Sequence, residues 1–245
     1  MHRVLVSPDA IQKTPIVIRD PRTLHHLLRV LRVAVGDPLE CIDGQGRRAI
    51  GSILRIARQQ VTVAVDRQAD EPAAHAGVTL AQALIKPDRF EWAIEKATEL
   101  GAARIIPMVT DRTTIRPSAD RTGRIKRWQR IAESAAAQCG RATLPVIEPP
   151  QPFHEVLERV RHAHALLPTL GAEGPLLWEH LKTVNRPKDV AVLIGPEGDF
   201  TAEEIALAVK RGAHPVRLGR LTLRSETAAV AALAILQHVQ IGDSH

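Results

Sequence analysis

From residue 78 onward the sequence alternates between short apolar runs and segments with helical periodicity. Parallel strands need a crossover, usually a helix, and a strand covered on both faces has a continuous apolar run. The pattern therefore predicts an α/β domain with a mostly parallel sheet and helices on both faces. The predicted strands are 78–85, 104–109, 163–167, 190–194 and 215–218. Helix starts are predicted at Asp88, at Thr201 with Glu204 as a capping box, and at Ser225.

The first 70 residues have a different pattern. Short runs rich in β-branched and apolar residues lie at 3–6, 16–18, 38–42, 48–56 and 61–65. The turn Asp43-Gly44-Gln45-Gly46 separates two of these runs and is a hairpin signal. We expect a small β-barrel or sandwich domain at 1–70, a polar linker at 71–77 and the α/β domain at 78–245.

The 245-residue chain has a formal net charge of +6 and a pI near 9.9. The excess is concentrated in residues 104–130, where eight Lys or Arg lie among two acids, Asp111 and Asp120. Such clustering favours a partner that carries phosphates. No apolar run approaches the roughly 18 residues of a membrane span, and the N-terminus lacks the pattern of a signal peptide. We therefore expect a cytoplasmic protein with no membrane partner.

Cysteine and histidine patterns indicate neither a disulfide framework nor a metal. Cys41 and Cys139 are too few for a disulfide framework or a zinc site. Cys139 lies on the apolar stripe of a predicted helix at 120–139, so a buried, unreactive thiol is expected, with a catalytic nucleophile as the alternative. No histidine pair has metal-ligand spacing with a third ligand, and no metal is predicted.

Two loops near the end of the chain each follow a strand and open a helix. The first is Gly195-Pro196-Glu197-Gly198-Asp199, and the second covers 218–228. Because ligands of open α/β sheets bind beyond the carboxyl ends of the strands, the two loops can line one pocket. The first loop has acids where a phosphate-binding loop has lysine, which suits a neutral or cationic ligand better than a triphosphate. A plain strand–helix turn without a ligand is the alternative.

A charged pair, Arg224 and Glu226, lies at the start of the last predicted helix, which is apolar on nearly every side. Charges at a buried helix start cost desolvation unless they are paired or used. Either they form an ion pair that fixes the helix start, or one or both contact the substrate.

Several segments carry a more specific resemblance. Ile194-Gly195-Pro196-Glu197-Gly198, Leu218-Gly219 and Leu223-Arg224-Ser225-Glu226-Thr227-Ala228 together resemble the signature of the SPOUT methyltransferases. Segments within 84–101, 127–141 and 25–37 are similar to one branch, the ribosomal RNA small subunit methyltransferase E family. The resemblance covers nearly the whole chain.

The resemblance implies a fold, a cofactor and a reaction. The fold would be a C-terminal SPOUT domain with a trefoil knot and an N-terminal PUA-like β-barrel. The enzyme would be a homodimer that uses S-adenosylmethionine to methylate N3 of a uridine in 16S rRNA of the small ribosomal subunit. The implied cofactor-binding residues are Leu167, Gly195, Pro196, Glu197, Gly198, Leu218, Gly219, Leu223, Thr227 and Ala228.

Catalysis is expected from the charged pair of the second loop. Arg224 cannot act as a base, but it can stabilise the negative charge that develops on the uracil oxygens. Glu226 is expected to take the N3 proton or to orient Arg224, and Glu197 is a second candidate for the base. Because aromatic side chains are scarce, RNA is expected to be bound mainly through its phosphates. The expected RNA-binding residues are Arg29, Arg32, Arg112 and Arg116.

Two other functions stay open. One is another SPOUT enzyme that methylates a ribose 2′-OH or tRNA. The other is an RNA-binding ribosome assembly factor without catalysis. Asp199 stands where the family commonly has glycine, and Arg220-Leu221-Thr222 replaces its more usual Pro-Arg-Ile/Val, which keeps the second alternative open.

Overall fold

The computed structural model describes residues 1–70, 77–115, 121–171, 173–184 and 187–241. The chain divides into two compact units, Met1–Ala73 with Glu133–Leu144, and Ala74–Ala132 with Pro145–His245. The predicted linker 71–77 lies outside the described residues except for Gly77, where a strand of the second unit begins. The domain boundaries expected from the sequence stay a prediction.

The first unit is built on one five-stranded sheet. Its elements are β1 (His2–Leu5), α1 (Pro8–Ile11), β2 (Ile16–Ile18), α2 (Pro21–His25), a π-helical turn (His26–Val30), β3 (Pro38–Ile42), β4 (Arg47–Ala57) and β5 (Gln60–Asp70). The sheet order is β1–β3–β4–β5–β2, with β1 parallel to β3 and the other pairs antiparallel. Side chains from all five strands, including Val4, Leu39 and Val63, form its core.

The segment Glu133–Leu144 is held in the first unit by two arginines. The buried carboxylate of Glu40 accepts hydrogen bonds from Arg3 (Nε to Oε2, 2.6 Å) and Arg48 (Nη1 to Oε1, 2.9 Å). The same guanidinium groups donate to the carbonyls of Ala137 (3.0 Å) and Gly140 (2.6 Å). A buried carboxylate is tolerated when it is paired and hydrogen-bonded in this way.

The two cysteines both lie in the first unit. Burial, with a contribution from Glu40, raises the pKa of the Cys41 thiol to about 12, which makes it unreactive. Cys139 is exposed, so the expectation of a buried thiol is wrong. The buried stripe of its helix ends at Ala136, one turn earlier, and Cys139 lies at the helix end.

The second unit alternates strands and helices, as the sequence predicts. Its elements are β6 (Gly77–Ala83), α3 (Pro87–Glu99), β7 (Arg104–Val109), α4 (Arg121–Cys139), β8 (Val146–Ile147), β9 (Gln151–Pro152), α5 (Phe153–Arg159), β10 (His164–Pro168), α6 (Leu177–Thr183), β11 (Asp189–Ile194), α7 (Ala202–Lys210), β12 (His214–Val216) and α8 (Ser225–Ile241). The sheet order is β12–β10–β11–β6–β7–β8, and β9 also pairs with β7. Every pairing between these strands is parallel, which confirms the predicted sheet.

Helices cover both faces of this sheet because successive strand residues point to opposite sides. Leu80 and Val192 pack with α3, α4, α6 and α8 in one apolar layer. Their neighbours Ala81 and Leu193 pack with α5 and α7 in the other. The trefoil knot stays a prediction. Of the helices that the structure describes, none combines the length and the apolar character needed to cross a membrane.

Helix starts follow the sequence in part. Thr201 and Glu204 form the predicted capping box of α7, with bonds of 3.2 Å and 3.0 Å between each side chain and the other's backbone N–H. Asp88 is not the cap of α3, because that helix begins one residue earlier, at Pro87. Proline is favoured at a first helical position, where the missing N–H has no helical partner. The sequence did not indicate α1, α5, α6, β8 or β9.

Candidate functional site

A cavity of about 390 Å³ lies at the edge of the sheet where β10, β11 and β12 end. Three segments contribute to its wall: 168–170 after β10, 194–199 after β11 and 217–228 after β12. The two C-terminal loops therefore line one pocket, and the segment after β10 completes it.

Seven of the ten expected cofactor-binding residues line this cavity, namely Gly195, Pro196, Glu197, Leu218, Gly219, Leu223 and Ala228. The other three do not. Leu167 is fully buried in the layer beneath α5 and α7, directly before Pro168, which does line the cavity. Thr227 is exposed, and Gly198 turns its carbonyl to Arg112, whose Nη1 donates to it at 2.6 Å.

Asp199 joins two of the segments that line the pocket. Its Oδ2 accepts hydrogen bonds from the Thr169 hydroxyl and the Leu170 N–H, both at 2.8 Å. Its Oδ1 accepts one from the Phe200 N–H, also at 2.8 Å. The backbone φ of Asp199 is 59°, in the left-handed region where glycine is most at ease and Asp is tolerated. Asp199 thus adopts a turn that a glycine would also allow, and its hydrogen bonds connect this loop to residues 169–170.

Gly195 leaves little room for a side chain. A Cβ at this position would lie 3.2 Å from the Phe200 ring and 3.3 Å from Oδ1 of Asp199. Larger side chains would therefore displace the loop from the cavity wall.

Ser225 connects the second loop to the first. Its hydroxyl donates to the Gly195 carbonyl at 2.5 Å and accepts from Nε2 of Gln82 at 2.8 Å. Gln82 lies near the end of β6, where it pairs in register with Ile194 of β11. Ser225 is the first residue of α8, so its hydroxyl fixes the adjacent loop and does not serve as the predicted N-cap.

Glu226 pairs with an arginine that the sequence did not single out. The residue is 8% exposed, and its Oε1 lies 3.7 Å from Nε of Arg89 in the first turns of α3. Nη1 of Arg89 is also 3.5 Å from Oε1 of Glu197, which lines the cavity. Among the described residues, Oε2 of Glu226 has no hydrogen-bond partner. A buried carboxylate oxygen without a partner is costly, which marks this atom as one that a ligand can engage.

Arg224 is exposed and is neither paired with Glu226 nor part of the cavity wall. Glu226 therefore pairs with Arg89 in this structure, and the hypothesis that Glu226 orients Arg224 stays a prediction. The Arg224 carbonyl instead accepts the first helical bond of α8, from Ala228 at 2.8 Å. Its side chain is left at the rim, facing solvent.

The expected RNA-binding arginines are exposed where they are described. Arg29 and Arg32 lie in and just after the π-helical turn of the first unit, and Arg112 is held beside the first loop. Arg116 lies outside the described residues. Two other basic residues of 104–130 are committed to ion pairs, Arg104 with Glu148 and Arg127 with Glu91, both at 2.6 Å. The face that could bind phosphates is thus smaller than the charge count suggests.

Comparison with known proteins identifies the family to which the chain belongs. Residues 72–237 match the RNA methyltransferase domain, and residues 18–66 match the RNA methyltransferase PUA domain. The ribosomal RNA small subunit methyltransferase E of Synechocystis sp. is 38% identical over 95% of this chain and 76% of its own length. The chain belongs to the ribosomal RNA small subunit methyltransferase E family.

Two other members of the methyltransferase E family are similar over at least 90% of their length. The protein of Mycobacterium bovis is 32% identical over 95% of this chain and 90% of its own. The solved structure of the Neisseria gonorrhoeae enzyme, bound to S-adenosyl methionine, superposes with a TM-score of 0.84 at 26% identity, covering 98% of both chains. The predicted family, fold class and enzyme class are thereby confirmed, and the chain is an RNA methyltransferase.

Proposed function

We propose that this enzyme transfers a methyl group from S-adenosylmethionine to N3 of a uridine in 16S rRNA of the small ribosomal subunit, in the cytoplasm. The observation that carries the proposal is the pocket formed by the two glycine-containing loops, with the unpartnered carboxylate oxygen of Glu226 beside it in a methyltransferase E chain.

The pocket suits the cofactor in size and chemistry. Small-molecule sites are concave, largely apolar and about 300–1,000 Å³ in volume, a range that includes this cavity. Its wall combines glycine backbone (Gly195 and Gly219) with apolar side chains such as Leu223. Two acids of the lining, Glu197 and Asp199, suit a cationic sulfonium, and two arginines, Arg217 and Arg220, also lie in the wall. When bound, S-adenosylmethionine supplies an already activated methyl group.

The chain's own contribution is to position the uracil and to handle its N3 proton. Glu226 accepts that proton on Oε2, which frees the N3 electron pair for attack. S-adenosylmethionine would supply the methyl group, with its carbon–sulfur bond breaking to leave S-adenosylhomocysteine. Arg89, which contacts both Glu226 and Glu197, is a positioning residue for the two carboxylates. Arg224 at the rim turns inward with the bound RNA and donates to a uracil oxygen as charge develops there.

We propose that a second copy of the chain covers the rim of the pocket. Leu170 and Leu221 both contribute to the cavity wall, yet they are 68% and 80% exposed. Large apolar side chains left open at a binding site are typical of a surface that another subunit covers. This arrangement supports the homodimer implied by the family resemblance.

Nucleoside analysis of the product tests the proposed reaction. The full-length enzyme is incubated with labelled S-adenosylmethionine and either small-subunit particles or naked 16S rRNA. N3-methyluridine at a single position is the expected product. A ribose-methylated nucleoside, or methylation of tRNA alone, would contradict the proposal, and failure to bind the cofactor in calorimetry would favour the assembly-factor alternative.

Binding of 16S rRNA should depend on Arg29 and Arg32 through phosphate contacts. The double variant Arg29→Gln/Arg32→Asn is expected to weaken binding and to reduce the slope of log affinity against log salt by about two, one for each lost contact. Asparagine suits position 32 because the backbone φ there is 53°. Arg58→Gln, at an exposed arginine of the same unit, is the matched control. An unchanged salt slope in the double variant would remove these residues from the interface.

A further inference from the structure

Three histidines meet at the amino-terminal edge of the parallel sheet, opposite the cofactor pocket. His164 is the first residue of β10, His214 is the first of β12, and His180 lies in α6. Because β10 and β12 are neighbours in the sheet, with Leu166 opposite His214, the two strand histidines start side by side. None of these residues takes part in the reaction proposed above.

The rings point their nitrogens at one small space. Nε2 of His164 is 2.9 Å from Nε2 of His180, and one nitrogen from each of the three rings lies within 4.8 Å of the others. The ring centroids are 4.5–5.1 Å apart, and both pairs that include His164 are stacked. At most one proton can lie between the facing Nε2 atoms of His164 and His180. A metal ion could instead accept a lone pair from each of these nitrogens.

We propose that His164, His180 and His214 form a binding site for a divalent transition-metal ion of the kind that prefers imidazole, such as Zn²⁺. Ligand nitrogens on a tetrahedral zinc ion are roughly 3.3–3.4 Å apart, as Zn–N bonds of about 2.0–2.1 Å require. That spacing lies between the 2.9 Å that separates Nε2 of His164 and His180 and the 4.8 Å that bounds the whole group. Three protein ligands leave a fourth position for water.

The environment of the cluster favours the form of histidine that binds metals. Burial, and then the neighbouring His214 and His180, lower the pKa of His164 to about 4. Burial, and then His214, also lower the pKa of His180. Both rings are therefore neutral near pH 7, and a neutral imidazole can coordinate without first losing a proton.

A bound ion would join α6 to the starts of two strands whose other ends carry the pocket. β10 ends at Pro168 and β12 at Val216, directly before the lining segments 168–170 and 217–228. The ion would crosslink these elements in the folded state only, so it should stabilise the fold in proportion to its concentration. It would lie at the far end of the strands from the pocket proposed for methyl transfer.

Titration with Co²⁺ tests the site in the full-length chain free of any histidine tag. The expected result is one equivalent of bound Co²⁺ with the intense visible absorption of four-coordinate cobalt, displaced by Zn²⁺, and a melting temperature that rises with the metal. His214→Gln, at the exposed ligand, should weaken binding at least tenfold and abolish the thermal shift. His154→Gln, at an exposed histidine of the same unit, should leave both unchanged.

Two results would overturn the proposal. One is the absence of a saturable Co²⁺ equivalent in the wild-type chain, which would leave the cluster as a hydrogen-bonded stack of rings. The other is equal binding by the wild-type and His214→Gln chains. His180→Gln gives the same decision if His214→Gln does not fold.

Discussion

Methyl transfer by Glu226→Gln should be at least about 100-fold slower than by the wild-type enzyme, because general bases typically contribute 10²–10⁴-fold. Glutamine keeps the size of the side chain and one acceptor oxygen, but it cannot accept the N3 proton. Since Glu226 does not line the cofactor cavity, affinity for S-adenosylmethionine should stay within about twofold. Single-turnover rates on small-subunit particles, with calorimetry for the cofactor, measure both quantities.

Three comparison variants separate the role of Glu226 from those of its neighbours. Glu203→Gln, at an exposed acid in the first turn of α7, should behave as wild type. Glu197→Gln should act mainly on cofactor affinity, because Glu197 lines the cavity. Arg224→Ala should lower the rate with affinity unchanged, as loss of one charge-stabilising donor does. A near-wild-type rate for Glu226→Gln, with a large loss in Glu197→Gln at constant affinity, would move the base to Glu197.

Local patterns were sufficient to predict the elements that build this site. The strands that end at Pro168, Ile194 and Val216 are short apolar runs, and the loops that follow begin with residues suited to turns and caps. Rules for parallel sheets then bring those loops to one edge. The pocket was therefore predictable from periodicity and turn chemistry, and its ligand from the family resemblance.

Contacts between distant elements were not predictable in this way. Arg89 reaches Glu226 because α3 packs against α8, and Gln82 reaches Ser225 because β6 lies next to β11. Both depend on the order of strands in the sheet, which no local pattern encodes. The same reason hides the three-histidine cluster, whose members come from β10, α6 and β12. A search for metal-ligand spacing along the chain can find ligands of one element, but it misses those that only the fold brings together.

The second large effect is expected at Asp199, one of the positions at which the sequence departs from the pattern that it resembles. Affinity of Asp199→Ala for S-adenosylmethionine should fall by about 10–100-fold. The loss of one hydrogen bond to a charged group costs about 1.5–3 kcal/mol, and alanine is also less favoured than Asp or Gly at a φ of 59°. The loop would then be in its binding-competent form only part of the time, and apparent affinity falls by that fraction. A free-energy cost of about 1.4–2.8 kcal/mol for adopting the binding-competent loop corresponds to the expected 10–100-fold loss of affinity.

A graded series shows whether Asp199 acts by holding the loops or by its charge. Asp199→Gly removes the hydrogen bonds without the strain and should lose less affinity than Asp199→Ala. Asp199→Asn keeps one acceptor and tolerates the backbone angle, so it should lose least. Thr169→Val removes one of the hydrogen-bond donors to Asp199. It should also lower the affinity for S-adenosylmethionine, although it changes no charge. If Asp199→Asn lost as much as Asp199→Ala while Thr169→Val lost nothing, the carboxylate would be acting on the ligand's positive charge, and the loop-holding role would be wrong.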